Sequence, residues 1–128
     1  MLAAIALGAV NAAMLLGHWY LVTPKLSPAP LRRIMWLLMG ALIIQAFAFA
    51  IALLGVGTDP LTGGTAWLTW LRLVAGIGLP IVVTGLAIAA SRSPSLQAST
   101  GLLYIGLALI MAGSVAGASI SYLTGVPV

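Results

Sequence analysis

Residues 17–33 read GHWYLVTPKLSPAPLRR and lie between two long apolar runs. The stretch holds the only histidine of the chain, His18, together with three of its seven prolines and three of its five basic residues. A proline has no backbone N–H and interrupts a helix interior, so we expect one helix to end before Pro24 and the next to follow Pro30. The stretch therefore predicts a stiff, basic connection between two helices.

The composition indicates what surrounds those helices. The 128 residues are 62% apolar and only 5% charged, with a mean hydropathy of +1.23, whereas a soluble domain carries about 25% charged residues. A membrane crossing needs about 20 apolar residues, and four runs meet that need, at about residues 2–22, 32–56, 65–91 and 98–123. We therefore predict an all-α integral membrane protein in which residues 1–128 form a single four-transmembrane-helix up-and-down bundle.

The charges in the loops predict the orientation of the bundle. Lys25, Arg32 and Arg33 lie between the first two helices and Arg92 between the last two, whereas the middle connection carries only Asp59. Because basic loops stay in the cytoplasm, we expect both termini on the non-cytoplasmic side. The basic residues sit at the ends of apolar runs rather than in a solvated patch, so the expected partner is the lipid bilayer and not nucleic acid. The compact chain and short loops indicate a bacterial inner (cytoplasmic) membrane.

Three polar residues fall inside the predicted membrane helices. Asn11 and Gln45 lie near the middle of the first two helices, so we expect their amides to bond each other, either to hold the helices together or to line a polar cavity. Arg72 lies about two turns inside the third helix, and we expect its side chain to reach the outer headgroups past Trp67 and Trp70. The alternative is that Arg72 binds an anionic group or a partner chain, because an unsatisfied charge in the membrane is costly.

Two features predict how the helices pack. Pro80 should kink the third helix near the middle of the membrane. In the fourth helix, Gly113 and Gly117 have the spacing that lets a second helix approach closely. This contact can be made within the bundle or between two copies of the chain.

The residue inventory excludes most kinds of catalytic site. The chain has no cysteine, so thiolate metal sites and iron–sulfur clusters are excluded. Its single acidic residue lies in a loop, so proton-coupled transport through an intramembrane carboxylate is not expected. Ser-His-Asp hydrolysis is also excluded, because His18 and Asp59 lie at opposite ends of the predicted bundle. We do not expect the chain to catalyse a reaction alone.

His18 is the candidate ligand for a cofactor. A neutral imidazole can be the axial metal ligand of haem b or of a (bacterio)chlorophyll, and His18 or Tyr20 can donate a hydrogen bond to a quinone carbonyl. Lys25, Arg32 and Arg33 lie where haem propionates would end. The alternative interpretation is that His18 and its aromatic neighbours anchor the helix at the interface, and that the basic residues only follow the positive-inside rule.

One face of the first helix carries His18 at spacings of three or four residues from the other members of a stripe: Gly8, Asn11, Leu15, Val22 and Lys25. An amide and an imidazole on one face are poorly suited to hydrocarbon. We therefore expect this face to point into the bundle or towards a partner rather than into lipid.

The leading functional hypothesis is a small integral membrane subunit of a bacterial energy-converting complex, respiratory or photosynthetic. It would pack against other integral membrane subunits, or against further copies of itself, and help to hold the cofactor at His18. Two alternatives remain open. One is an autonomous channel or carrier for a neutral or anionic solute, with Asn11, Gln45 and the serines of the fourth helix along its path and Pro80 as a hinge. The other is a membrane scaffold without a ligand.

Overall fold

The computed structural model describes residues 1–23, 25, 27–57, 59–93 and 96–125. These residues are helical throughout, apart from short connections, and contain no strand. The elements are α1 (Leu2–Val22), α2 (Ala29–Val56), the short α3 (Asp59–Thr62), α4 (Ala66–Leu73), a π-helical turn (Val74–Gly78), α5 (Leu79–Ala90) and α6 (Leu96–Thr124). The third long helix, Ala66–Ala90, consists of α4, the π-helical turn and α5.

Four of these helices are long and apolar enough to cross a membrane: α1, α2, Ala66–Ala90 and α6. The predicted number of membrane helices is therefore confirmed for the described residues. The first helix ends at Val22, before Pro24, which itself lies outside the described residues. The second begins at Ala29 rather than near residue 32, because Pro30 occupies the first helical turn, where no N–H is needed. The side of the membrane that each end faces stays a prediction.

The four long helices pack as a ring. α1 contacts α2 and α6, and the third helix closes the ring by contacting α2 through α5 and α6 along its whole length. The start of α1 and the end of α6 lie together, because Met1 and Ser121 line the same cavity. We call this end of the ring the termini end, and the opposite end, which carries Lys25 and Arg92, the basic end.

The third helix and α6 approach each other closely at a pair of glycines. A Cβ atom built on Gly76 would lie 2.6 Å from the Cα atom of Gly113, so only glycine fits at this crossing. Gly117 is buried on the same side of α6. Gly113 of the glycine pair therefore packs within the bundle, and a contact between two copies of the chain stays a prediction.

We expected Pro80 to kink the third helix. The irregularity in this helix is the π-helical turn directly before Pro80. The N–H of Leu79 donates to the carbonyl of Val74, five residues back. In a continuous α-helix, the ring of Pro80 would collide with the carbonyl of Gly76. The wider turn avoids that collision, and Pro80 then falls in the first turn of α5.

We expect Gly113→Ala to destabilise the bundle. The new methyl group would overlap the backbone of Gly76, and relieving such an overlap costs roughly 1–3 kcal/mol, more than the gain of about 1 kcal/mol in helix propensity. Thermal unfolding in detergent measures the effect. The matched control is Gly101→Ala on the same helix, where a Cβ meets nothing within 4 Å, so its stability should stay equal or rise. Equal stability of both variants would contradict the crossing.

Candidate functional site

A cavity of about 500 Å³ opens among α1, α2, α4 and α6 at the termini end. We call it the Arg72 cavity. Its polar lining consists of Gln45, Arg72, Ser114 and Ser121. The rest of its lining is small or apolar: Met1, Leu2, Ala3, Ala48, Phe49, Gly117 and Ala118.

The cavity reaches from the helix ends to about the middle of the bundle. Gln45 precedes the last residue of α2, Val56, by eleven positions, which is about 16 Å of helix. Ser114 precedes the last residue of α6, Thr124, by ten positions, which is about 15 Å. Half of a hydrocarbon core is also about 15 Å thick. Gln45 and Ser114 therefore lie about half a hydrocarbon thickness from the helix ends and form the floor of the cavity.

Arg72 is inside the bundle and bonds to Gln45. Its side chain is only 2% exposed. With the Gln45 amide in the orientation that satisfies both groups, Oε1 accepts a hydrogen bond from Nη1 at 3.2 Å and a second one from Nη2. A Cβ atom on Gly76 would lie 3.1 Å from Nη1. Glycine at position 76 therefore leaves room both for α6 and for the guanidinium.

The expectation that Arg72 reaches the outer headgroups was wrong. Trp67 and Trp70 point outwards, with 64% and 50% of their surfaces exposed, whereas Arg72 points inwards. The difference lies in the position of each residue around the helix. Arg72 is in line with Thr69 and Gly76, which are also buried, so the side chain at this position points into the bundle.

The spacing along the third helix contains the signal that sequence reasoning missed. The positions 69, 72, 76, 80, 84 and 87 follow each other at intervals of three and four, and all six are buried. Five of them are threonine, glycine, proline or alanine, and the sixth is Arg72. Small residues at helical spacing are typical of helix–helix interfaces in membranes, so this pattern favours an interior position for Arg72 over one at the headgroups.

The two amides that were expected to pair have different partners. Nδ2 of Asn11 donates to the carbonyl of Leu7 in its own helix, at 3.0 Å. The oxygen of Gln45 accepts from Arg72 instead. A hydrogen bond to a charged donor is about twice as strong as one between neutral groups, which explains why Gln45 turns to the guanidinium.

The residues proposed around His18 lie on the outside of the basic end. His18, Leu15 and Val22 are exposed on α1, while the buried face of that helix is formed by Ala6, Val10, Ala13, Gly17 and Tyr20. The face that carries His18 therefore points away from the bundle, so the expectation that it points inwards is wrong, and the expectation that it faces a partner stays a prediction. Lys25, Arg32 and Arg33 are exposed as well.

Tyr20 and Gly17 have structural contacts. The hydroxyl of Tyr20 donates to the carbonyl of Ser27 at 2.7 Å and so ties the connection between α1 and α2 to the buried face of α1. A Cβ atom on Gly17 would lie 2.6 Å from Oγ1 of Thr100, so Gly17 allows α1 and α6 to approach. Neither residue opens space beside His18. Within the described ranges, no group of three or more His, Cys, Asp or Glu side chains is placed to hold a metal ion.

A smaller cavity of about 280 Å³ lies beside the Arg72 cavity at the termini end. Phe49 lines both cavities. The only acidic side chain of the chain, Asp59, lines this second cavity together with Thr65 and Thr69. The basic and the acidic side chains of the termini end therefore line different spaces.

Comparisons with protein-family models, with curated proteins and with solved structures found no match for this chain. The residues of its cavities and surfaces are therefore the basis for inferring its function.

We expect Gln45→Leu to destabilise the protein by about 1–3 kcal/mol, because it takes a buried hydrogen-bond acceptor away from a charged donor. The double variant Gln45→Leu with Arg72→Met should recover most of that loss, because replacing a buried charge by an apolar side chain is often neutral or stabilising. Unfolding in detergent measures the four members of this double-mutant cycle.

The control for this cycle is Gln97→Leu. Gln97 is an exposed amide on α6, and surface substitutions usually change stability by less than about 0.5 kcal/mol. If the effects of Gln45→Leu and Arg72→Met simply added, the two side chains would not be coupled and the contact between them would be refuted.

Proposed function

We propose that this protein binds a small anionic solute in the Arg72 cavity and carries it across the membrane. The observation that supports this proposal best is the position of Arg72, an almost fully buried guanidinium on the wall of a cavity of about 500 Å³, close to the depth of the bilayer midplane. Ligand sites for small molecules have volumes of about 300–1,000 Å³. The cavity is within that range.

The charge of Arg72 is what an anion would recognise. An arginine at the centre of a membrane helix costs at least about 2.5–3.5 kcal/mol. The amide of Gln45 accepts hydrogen bonds from the guanidinium. The one acidic side chain, Asp59, lines the neighbouring cavity. An anion in the Arg72 cavity would lower the cost of keeping this charge in the membrane.

The two serines that line the cavity contribute less than Arg72 to the binding of an anion. The hydroxyl of Ser114 donates to the carbonyl of Ile110 at 2.7 Å, and that of Ser121 to the carbonyl of Gly117 at 3.0 Å. Their protons therefore point to their own helix, and a serine must turn its hydroxyl to donate to a solute. Arg72 is the residue of the lining that attracts an anion directly.

The shape of the third helix fits a carrier. Membrane carriers often bind their substrate near the midplane, next to helices that are interrupted there. The π-helical turn Val74–Gly78 interrupts the third helix directly after α4, which carries Arg72. Towards the basic end, the ring is filled by large side chains such as Leu31, Met35, Leu38 and Leu103. The cavity therefore opens at the termini end while the packed side chains close the path to the basic end.

We expect at least one small anion to stabilise the protein, and Arg72→Met to abolish that effect. A ligand that binds only the folded state at 100 times its dissociation constant adds about 2.7 kcal/mol to the free energy of unfolding. The measurement is thermal unfolding in a non-ionic detergent at constant ionic strength, with chloride replaced in turn by nitrate, phosphate, acetate or benzoate. Flux of the stabilising anion into proteoliposomes then tests carriage.

The matched control is Arg92→Gln, which removes an exposed arginine at the basic end and should leave the stabilisation unchanged. The proposal would be overturned if no anion raised the unfolding temperature of the wild type, or if Arg72→Met responded as the wild type does. Binding without flux would refute carriage alone.

A second function, the subunit of an energy-converting complex, is favoured by a different observation. His18 is exposed on the outward face of α1, at the same end as the exposed side chains of Lys25, Arg32 and Arg33. A partner subunit on this face would bring a porphyrin, chlorin or quinone against the imidazole from outside the bundle. The basic side chains would then meet the acidic groups of such a cofactor.

For this second function we expect protein purified from native membranes to carry a Soret or Qy absorbance band, and His18→Ala to lose it. The loss follows because an alanine cannot ligate the metal. Leu15→Ala on the same exposed face is the control and should keep the band. A colourless preparation that retains its partner subunits would contradict the role of His18.

A further inference from the structure

The exposed basic side chains of the protein all lie at the basic end of the ring. They are Lys25, Arg32, Arg33 and Arg92. The only acidic side chain of the chain, Asp59, lines the second cavity at the termini end. No acidic side chain of the chain can therefore neutralise the positive charges of the basic end.

Two contacts fix the register between α2 and α5 near this end. The hydroxyl of Ser99 on α6 donates to the carbonyl of Ala87 at 3.0 Å and lies 3.7 Å from Sδ of Met35. Met35 and Ala87 are therefore at about the same depth. One turn deeper, a Cβ atom built on Gly85 would lie 3.7 Å from Cε of Met39. Because the two helices are antiparallel, a step towards the basic end lowers the residue number on α2 and raises it on α5.

The same register brings Arg32 and Arg92 to one level. Arg32 precedes Met39 by seven positions. Arg92 follows Gly85 by seven positions, and its N–H still donates to the carbonyl of Ala89 at 3.2 Å in the turn after α5. Seven residues are about two turns, or about 10 Å, and return to nearly the same face of a helix, within about 20°. The two arginines therefore lie on either side of the boundary between α2 and α5.

Apolar side chains continue from this pair towards the middle of the bundle. Trp36 follows Arg32 by one turn of α2 and is exposed, and tryptophan is typical of the level of lipid headgroups. Further along, the exposed side chains are aliphatic or aromatic: Ile43 and Phe47 on α2, then Leu86 and Val82 on α5. A phospholipid has the same order along its length, from a charged phosphate through an interfacial region to hydrocarbon.

From this placement we infer that the basic end binds an anionic phospholipid, with its phosphate between Arg32 and Arg92 and its acyl chains along α2 and α5. A guanidinium suits this role because it forms two parallel hydrogen bonds to a phosphate. The axes of packed helices are about 8–10 Å apart, so arginines on both can meet one headgroup. This site is separate from the Arg72 cavity and does not depend on the proposed function.

The charge of the headgroup determines which lipid is preferred. Phosphatidylglycerol has one net negative charge, whereas phosphatidylcholine carries a cation beside its phosphate. A single basic residue at the membrane surface raises the affinity for anionic lipid about fivefold. The pair of arginines should therefore favour phosphatidylglycerol over phosphatidylcholine about 30-fold.

The experiment measures how lipids with brominated acyl chains quench the fluorescence of Trp36. The full chain with Trp19→Phe, Trp67→Phe and Trp70→Phe keeps Trp36 as its only tryptophan, and the three replaced side chains are exposed. This protein is reconstituted into vesicles that contain phosphatidylcholine and phosphatidylglycerol in varied proportions, with one of the two lipids brominated. The dependence of quenching on composition gives the ratio of the two affinities beside Trp36.

We expect Arg32→Gln and Arg92→Gln each to lower this ratio about fivefold. The matched control is Arg33→Gln, which removes the same charge from the same turn of α2. Arg33 precedes Met39 by six positions, so it lies about 120° around the helix from the side that meets α5. This variant should keep the ratio within about twofold of the wild-type value, because surface charges away from the headgroup interact weakly with it.

Three results would overturn the inference. Equal affinity for the two lipids would leave the exposed arginines to an acidic protein partner. An equal loss of preference in Arg33→Gln and Arg32→Gln would mean a diffuse attraction by the whole basic end and not a site between two helices. Reversal of the quenching by glycerol phosphate, at the same concentration as the lipid, would make a free phosphate compound the ligand.

Discussion

The hydrogen bonds between Arg72 and Gln45 are the interaction on which the arrangement of the termini end depends. A guanidinium in the middle of a membrane must be kept away from hydrocarbon, and here an amide from α2 accepts two hydrogen bonds from it. The two side chains bridge α2 and α4 and form the floor of a cavity instead of a packed core. The buried positive charge, the cavity beside it and the depth of both in the bundle therefore follow from this one pair of side chains.

The close crossing of the third helix and α6 makes room for this pair. Gly76 lies one turn after Arg72, and a larger residue there would press on both Gly113 and the guanidinium. The π-helical turn that contains Gly76 also relieves the clash that Pro80 would cause in a regular helix. One short segment thus serves the packing of α6, the break before Pro80 and the space for Arg72.

The two ends of the ring differ in how they satisfy their polar groups. At the basic end, the Tyr20 hydroxyl and the Ser99 hydroxyl donate to the backbone carbonyls of Ser27 and Ala87, and large apolar side chains fill the interior. At the termini end, small residues leave a space that a polar pair borders. Hydrogen bonds made within the chain close one end, whereas the other end keeps a cavity that Arg72 and Gln45 border. This contrast is why we place the ligand at the termini end rather than beside His18.

The sequence by itself determined that the chain has four long apolar helices and where they begin and end to within a few residues. These properties depend on local composition and on the positions of prolines, which do not need a partner helix to act. Only the tertiary structure decided that Arg72 points inwards, that Gln45 bonds to Arg72 rather than to Asn11, and that the face of His18 points outwards. The physical reason is that a membrane helix is apolar on every side. The difference in polarity between its faces therefore says little about which face is buried. Here the buried face of the third helix is set by the contact that the small residues at positions 76 and 113 allow between two helices.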